Sequence, residues 1–269
     1  MKAIVLGARE GVLNIGTAIG ETLEMLGWET YRDDCAVGDG SRPPGGNLPN
    51  DEVAREHGYN VTDKGRYQRF EVPPSQTFER ENADALVVSL GATYKGDWAE
   101  IPEWEISRII NANLVLPLKA ARRYVAAAEQ ARAAAPLLDG PRRPRHIVFI
   151  GSYAHRHPFT NGTLYCAAKA GIDMAARTLG WELTARGYRI HVVHPFHVQG
   201  TPMWAEVEQG VMESKGMTYE EADAYNRKDL LMPDLLTPEE VANVVGWLLN
   251  NPAAQWTSGT AIELFGGSR

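Results

Sequence analysis

Three residues have the types and spacing for proton transfer. Tyr165 and Lys169 lie four apart in Tyr165-Cys166-Ala167-Ala168-Lys169, and a helix carries such a pair on one face, one turn apart. Ser152 stands thirteen residues before Tyr165, after Ile150-Gly151. A phenol with a reference pKa near 10 is a poor acid–base at neutral pH. A neighbouring ammonium favours the phenolate and lowers that value. Lowering it by two to three takes roughly 3–4 kcal/mol of differential interaction. A serine hydroxyl beside the phenol can bond a substrate oxygen and orient it. Taken alone, Tyr-x-x-x-Lys is a common helix-surface coincidence, so the weight falls on what accompanies it.

A glycine-rich segment, Gly7-Ala8-Arg9-Glu10-Gly11-Val12-Leu13-Asn14-Ile15-Gly16, follows the first apolar run. Glycines there let the backbone turn sharply and approach a pyrophosphate, and the next helix offers free N–H groups and its positive dipole end. The spacing is neither the regular G-x-G-x-x-G nor a P-loop. Its place between a first strand and a first helix gives it meaning. The second strand ends in Tyr31-Arg32-Asp33-Asp34. An acid there bonds the ribose hydroxyls of NAD, whereas arginine accommodates the extra phosphate of NADP. Both types are present and Arg9 adds another cation, so the cofactor is read as NAD(P) with a slight lean to NADP.

These residues need elements to hold them. Short apolar or β-rich runs at Lys2–Leu6, Trp28–Arg32, Arg69–Val72, Ala85–Ser89, His146–Ile150, Arg189–His194 and Ala261–Phe265 read as seven strands. Helical stretches at Ile15–Leu26, Pro102–Ala135, Leu164–Arg186 and Pro238–Leu249 separate many of them, with Pro117 as a kink in the second and Pro136 as its end. Strands apolar on both faces and alternating with helices imply a doubly wound, mostly parallel α/β sheet covered on both sides, a Rossmann fold. Such sheets bind ligands at the carboxyl ends of their strands. Two insertions interrupt the rhythm. One, about 33–66, contains GDGSRPPGGNLPN and is read as a loop, with a short helix at Asp51–His57. The other, about 200–237, carries Met203, Trp204, Met212, Met217, Tyr219 and Tyr225 and is read as a substrate lid. The whole chain 1–269 is expected to be one catalytic domain.

Composition narrows the partners. Lys plus Arg is 27 against 34 for Asp plus Glu, a net charge of −7, so no global basic field favours nucleic acid. Two cysteines, Cys35 and Cys166, cannot form a disulfide framework or a Cys-based zinc site. No apolar run approaches the ~18 residues of a membrane span. The expected location is the cytoplasm. His155, His157, His194 and His197 border the expected pocket, but nothing in their spacing points to a metal.

Taken together, these motifs resemble the short-chain dehydrogenase/reductase family in its compact single-domain form, over nearly the whole chain. The family's Tyr-x-x-x-Lys matches Tyr165 and Lys169, and its serine matches Ser152. Its helix-four asparagine matches Asn113 in Asn111-Ala112-Asn113-Leu114, after an entry at Pro102-Glu103-Trp104. The segment His191–Val198, the run Thr237–Ala242 and the tail Ser258-Gly259 through Gly266-Gly267 also resemble family motifs.

The resemblance implies reversible hydride transfer between NAD(P)(H) and a carbonyl or secondary alcohol. Tyr165 would be the general acid/base, Lys169 would lower its pKa and hold ribose hydroxyls, and Ser152 would position the substrate oxygen. Asn113 would hold a water linking Lys169 to solvent. Cofactor contacts are expected from Gly7, Arg9, Gly11, Ile15 and Gly16, then Arg32, Asp33, Val72 and Gly91. Pro195, Val198 and Thr201 are expected to join Tyr165 and Lys169 around the nicotinamide half. Substrate contacts are expected from Ala154, His155, His197 and Trp204. A homo-oligomer, dimer or tetramer, is implied through the small-residue helix around Ala167–Ala176.

Three departures stand out. The Gly-rich turn is about three residues longer than the family pattern. Asn-Asn-Ala-Gly is replaced by Val88-Ser89-Leu90-Gly91, and Pro-Gly by Pro195-Phe196. They motivate a second class of reading, a dinucleotide-binding regulator or scaffold without turnover. The intact Asn113, Ser152, Tyr165 and Lys169 argue against it.

Overall fold

The structure, a computed structural model, describes residues 1–7, 14–33, 36–37, 59–61, 67–70, 77–79, 82–93, 97–134, 143–228, 230–232 and 234–267. The elements in chain order are β1 (Lys2–Leu6), α1 (Ile15–Met25), β2 (Glu29–Asp33), β3 (Ala36–Val37), β4 (Tyr59–Val61), β5 (Tyr67–Phe70) and β6 (Ala85–Val88). Next come α2 (Glu103–Ile110), a π-helical turn (Asn111–Val115), α3 (Leu116–Ala134), β7 (Arg145–Ile150), α4 (Thr163–Leu183) and β8 (Tyr188–Pro195). The last are α5 (Pro202–Lys215), α6 (Tyr219–Arg227), α7 (Pro238–Asn250) and β9 (Thr260–Leu264).

Six strands form a parallel sheet in the order β2-β1-β6-β7-β8-β9. Successive residues of each strand face opposite layers. Ile4, Leu6, Leu86, Val88, Ile147 and Phe149 pack with Ala120 and Tyr124 of α3 and Ile172 and Ala176 of α4. Ala3, Val5, Ala85, Val87, Val148 and Ile150 pack with Ile19 and Leu23 of α1 and Val241, Val245 and Leu248 of α7. Burial on both faces explains why these strands are apolar throughout. The chain runs from β1 outward to β2 and returns to β6 on the other side of β1, which opens a crevice beyond the β1 and β6 tips.

Local signals set the helix ends. The Asn14 side chain accepts from Thr17 N at 2.8 Å and starts α1. Thr237 and Glu240 form a capping box at α7, with Pro238 in its first turn.

Two features differ from the sequence expectations. Among the described residues the parallel sheet has six strands rather than seven. The run read as Arg69–Val72 overlaps β5, which pairs antiparallel with β3 and β4 in a separate three-stranded sheet. A parallel strand buried on both faces needs a continuous apolar run, and Tyr67-Gln68-Arg69-Phe70 lacks one. The expected helix at Pro102–Ala135 is interrupted at Asn111–Val115, where Leu116 N–H reaches back five residues to Asn111 O. Pro117 has no N–H to offer the carbonyl of Asn113, four residues earlier. The expected helix at Asp51–His57 and stop at Pro136 lie outside the described residues. No helix among those described is long and apolar enough to cross a membrane.

Candidate active site

The carboxyl ends of β6, β7 and β8 and one face of α4 converge on Ser152. The last rung of β7 is Gly151 N–H to Val193 O at 2.7 Å, and Ser152 follows in extended conformation. Its hydroxyl accepts from Ala154 N at 3.2 Å, and its side chain lies beside the Tyr165 phenol. Lys169, one turn further along α4, is 4% exposed and donates from Nζ to Ile150 O at 3.1 Å. The same Nζ lies 5.6 Å from the Tyr165 ring centre. Serine, phenol and ammonium are therefore assembled as the spacing implied.

Their electrostatics differ from the sequence expectation. Burial raises the Tyr165 phenol above its ordinary value, outweighing the opposite pull of the Ser152 hydroxyl beside it. Burial also draws Lys169 down to about 8. Lys169 is bound to a backbone carbonyl and stands over the ring, and desolvation is the larger effect on the phenol. With the protein's groups alone, the phenol is held in its protonated form.

Asn113 is fully buried in the π turn. Its Nδ2 donates to Ala92 O at 2.8 Å and Ile109 O at 2.9 Å, and its Oδ1 accepts from Ala92 N at 3.3 Å. This ties the helix to the loop after β6. Gly91 lies in that loop, and a Cβ there would come within 3.1 Å of Asn113 Oδ1 and 3.7 Å of Lys169 Nζ. The glycine retained in Val88-Ser89-Leu90-Gly91 thus sits beside Lys169. Met203, near the start of α5, reaches the same spot, 3.9 Å from that Cβ position. Thr93 in the loop donates to Glu206 of α5 at 3.3 Å.

At the first turn, Gly7 has φ +90°, and a Cβ on it would collide with Ser89 O at 2.4 Å. Ile15 and Gly16 open α1. Arg32 bends back over Gly20 and pairs with Glu24, which removes it from the strand tip where a ribose phosphate was expected. Asp33 remains at the tip, where Tyr31 Oη donates to its carboxylate at 3.3 Å. Arg9, Gly11 and Val72 lie outside the described residues.

Pro195 closes β8, and Val198 is buried and bridged to Leu236. Thr201 spends its hydroxyl on Val198 O and on capping α5. Ala154 is buried. His197 packs on Trp204 at 4.8 Å between ring centres, and Trp204 is itself 6% exposed. His155 differs from expectation: its ring turns inward, stacks on His194 at 3.7 Å and approaches Glu263 at 3.5 Å.

Sequence reasoning missed Asp173. It continues the four-residue series Tyr165, Lys169, Asp173, and that spacing could have flagged it. His155, Asp173 and His194 bring metal-ligand-type atoms within 4.8 Å of one another. Each is already engaged: His194 Nε2 with Asp173 at 3.0 Å, Asp173 with Arg177 at 2.8 Å, and His155 with Ser152 O at 2.9 Å.

Comparison with known proteins agrees with this geometry. Residues 57–268 match a family model described as Enoyl-(Acyl carrier protein) reductase. A putative ketoacyl reductase of the monensin polyketide synthase from Streptomyces virginiae is 29% identical over 68% of this chain and 66% of that protein. The NADP-dependent 3-hydroxy acid dehydrogenase YdfG of Salmonella typhi is 32% identical over 40% of this chain and 39% of its own length. The aligned stretches thus span under two thirds of both relatives. A crystal structure of an actinorhodin polyketide ketoreductase variant with NADPH superposes with a TM-score of 0.74 at 23% identity, covering 99% of this chain and 96% of that one.

Proposed function

The chain belongs to the short-chain dehydrogenase/reductase family, and from that premise we propose that it is an NAD(P)(H)-dependent oxidoreductase acting on a carbonyl or secondary alcohol. The observation that carries the proposal is the buried Lys169, 5.6 Å from the Tyr165 ring and bonded to Ile150 O at the strand tip that leads to Ser152. We read the chain as one catalytic domain with a loop insertion about 33–66 and a lid about 200–237. The lid is supported by the reach of Met203 to Gly91. A cytoplasmic location belongs to the same proposal.

The residues present fit a dinucleotide. Gly7, at φ +90°, turns the chain sharply at the tip of β1, and α1 has no acid in its first turn. Gly91, Asn113 and Lys169 stand together at the other end of the crevice. Gly7, Ile15, Gly16 and Asp33 would hold the adenosine half, and Gly91, Tyr165, Lys169, Pro195, Val198 and Thr201 the nicotinamide half. When bound, the cofactor supplies or accepts a hydride.

Ser152 binds the substrate oxygen and turns it toward Tyr165. Tyr165 gives that oxygen a proton from Oη in reduction and takes one back in oxidation. A phenol kept protonated by burial is the form that reduction needs. Lys169, with its ammonium drawn down to about 8, exchanges protons readily near neutral pH. The Asn113 amide is engaged, so what it offers Lys169 through water is its main-chain carbonyl, which Pro117 cannot bond. Ala154, His197 and Trp204 border the substrate.

A panel of ketones and secondary alcohols, run with NADH and NADPH in parallel, tests the proposal. Turnover of at least one carbonyl is expected. Tight nicotinamide binding with no turnover of any substrate would instead favour the regulator. Within this proposal NADPH is preferred, supported by the NADP-dependent relative and the NADPH-bound neighbour. One observation favours NAD: Asp33 stands at the tip of β2 while Arg32 is held by Glu24. A higher kcat/KM with NADPH, raised further by Asp33→Asn, is the expected result. A higher kcat/KM with NADH would transfer the assignment to NAD.

We also propose a homo-oligomer, a tetramer, built through α4. Its support is the exposed apolar surface of Met174 and Trp181, 62% and 92% accessible. Sedimentation at micromolar concentration is expected to show an assembly, and a monomer alone would refute it.

A further inference from the structure

Behind the tip of β7 lies a buried set of ionisable groups that the mechanism leaves unused. His194, wholly buried, directs Nδ1 at Ser152, 3.0 Å from its N and 3.0 Å from its O. Its Nε2 lies 3.0 Å from Asp173 Oδ1. His155 stacks on it and places its own Nδ1 2.9 Å from the same Ser152 O. Gly151 admits this arrangement, since a Cβ there would fall 2.2 Å from His194 Nδ1.

The protons of this cluster can be assigned by elimination. A carboxylate only accepts hydrogen bonds. Asp173 therefore requires a proton on His194 Nε2, and a neutral imidazole then has a bare lone pair at Nδ1. That lone pair can accept the Ser152 N–H but cannot donate to Ser152 O. The carbonyl, which accepts the His155 backbone N–H at 3.0 Å, has its second lone pair for the Nδ1–H of His155. Every donor then has one acceptor. Burial supports a neutral ring, holding His194 down to about 4, with the His155 ring acting in the same sense. The remaining charged groups of the cluster are Arg177 on Asp173, and Glu263 with Arg156 beside His155. The imidazole thus supplies a ladder rung beyond the end of the strand, at the peptide that carries the serine.

We propose that His194, held in its Nε2–H tautomer by Asp173, is a positioning residue that grips the Ser152 peptide and aims the serine hydroxyl at the substrate oxygen. This rests on the reading of Ser152 as the group that binds that oxygen.

Asp173→Asn tests it. An amide can turn its NH2 toward Nε2, which moves the ring proton to Nδ1 and forbids acceptance of the Ser152 N–H. The expected result is a kcat lower by ~10- to 100-fold, the scale of a misplaced reacting group, with the Kd for NADPH unchanged. NMR of the ring nitrogens should show the tautomer exchanged. His194→Leu should fall as far, and His194→Asn, whose Oδ1 can stand where Nδ1 stood, should recover at least ~10-fold over the leucine variant. Wild-type kcat in folded Asp173→Asn, or His194→Asn no better than His194→Leu at equal Tm, would overturn the inference. Tyr165→Phe run alongside separates the two readings: if it too is unimpaired, the proposed function fails, and if it alone is inactive, only the positioning role fails.

Discussion

Tyr165→Phe is expected to lower kcat by at least ~100-fold, the low end of general-acid effects. The substitution removes one oxygen and leaves the ring. Its surroundings hold without that oxygen, because Lys169 keeps Ile150 O and the Ser152 hydroxyl keeps Ala154 N. The variant should therefore fold, lose far less in cofactor Kd than in kcat, and fail at the proton step. Steady-state kinetics on any substrate found in the panel, paired with a cofactor titration, makes the measurement. Near-normal turnover would remove Tyr165 from its assigned role, whatever the state of Ser152 and Lys169.

Acid should destabilise the fold well before carboxylates titrate in bulk. Burial holds His146 at about 4, His191 at about 3 and His194 at about 4, against an ordinary 6.5. The unfolded chain takes up protons at these rings as pH falls through 6.5, whereas the folded chain refuses them until pH 3–4. Stability is thus present above pH 6.5 and is lost as pH drops through that window. At pH 5.5 each ring costs about 1.4 kcal/mol, so the three together cost about 4 kcal/mol. Against a typical total of about 5–15 kcal/mol this is a large fraction, and Tm should fall by roughly 10 °C between pH 7.5 and 5.5. Melting curves across that range check it. A flat Tm would mean that these rings are protonated or hydrated in the native state.

Much of the fold was legible because burial on both faces leaves an unmistakable composition. Ile4-Val5-Leu6, Leu86-Val87-Val88 and Ile147-Val148-Phe149 could belong only to covered strands. The Tyr165–Lys169 pair and Ser152 were legible because helix spacing and a strand tip are local facts. What escaped was tertiary. The antiparallel pairing of Tyr67–Phe70 depends on partners at Ala36–Val37 and Tyr59–Val61, segments without a long apolar run of their own. Arg32 was expected at the cofactor, but Glu24, on the neighbouring helix, captures it. The downward shift expected for Tyr165 followed from the nearby ammonium alone, and the desolvation that outweighs it depends on packing. His155, Asp173 and His194 come from three separate segments, and only the crossovers bring them together.

The π turn at Asn111–Val115 carries one more residue than an α-helical turn would need. Deleting one residue there would close the extra-residue turn, with Pro117 still leaving one carbonyl of the preceding turn unbonded. Every side chain on one half would then swing about 100° relative to the other, since each residue advances the helix by that angle. Tyr124 and Ala120 could keep facing the sheet only if Asn113 left Ala92, and the reverse. The length of this helix is thus quantised. Insertion or deletion between Glu103 and Tyr124 would change either the sheet contact of α3 or the Asn113–Ala92 contact.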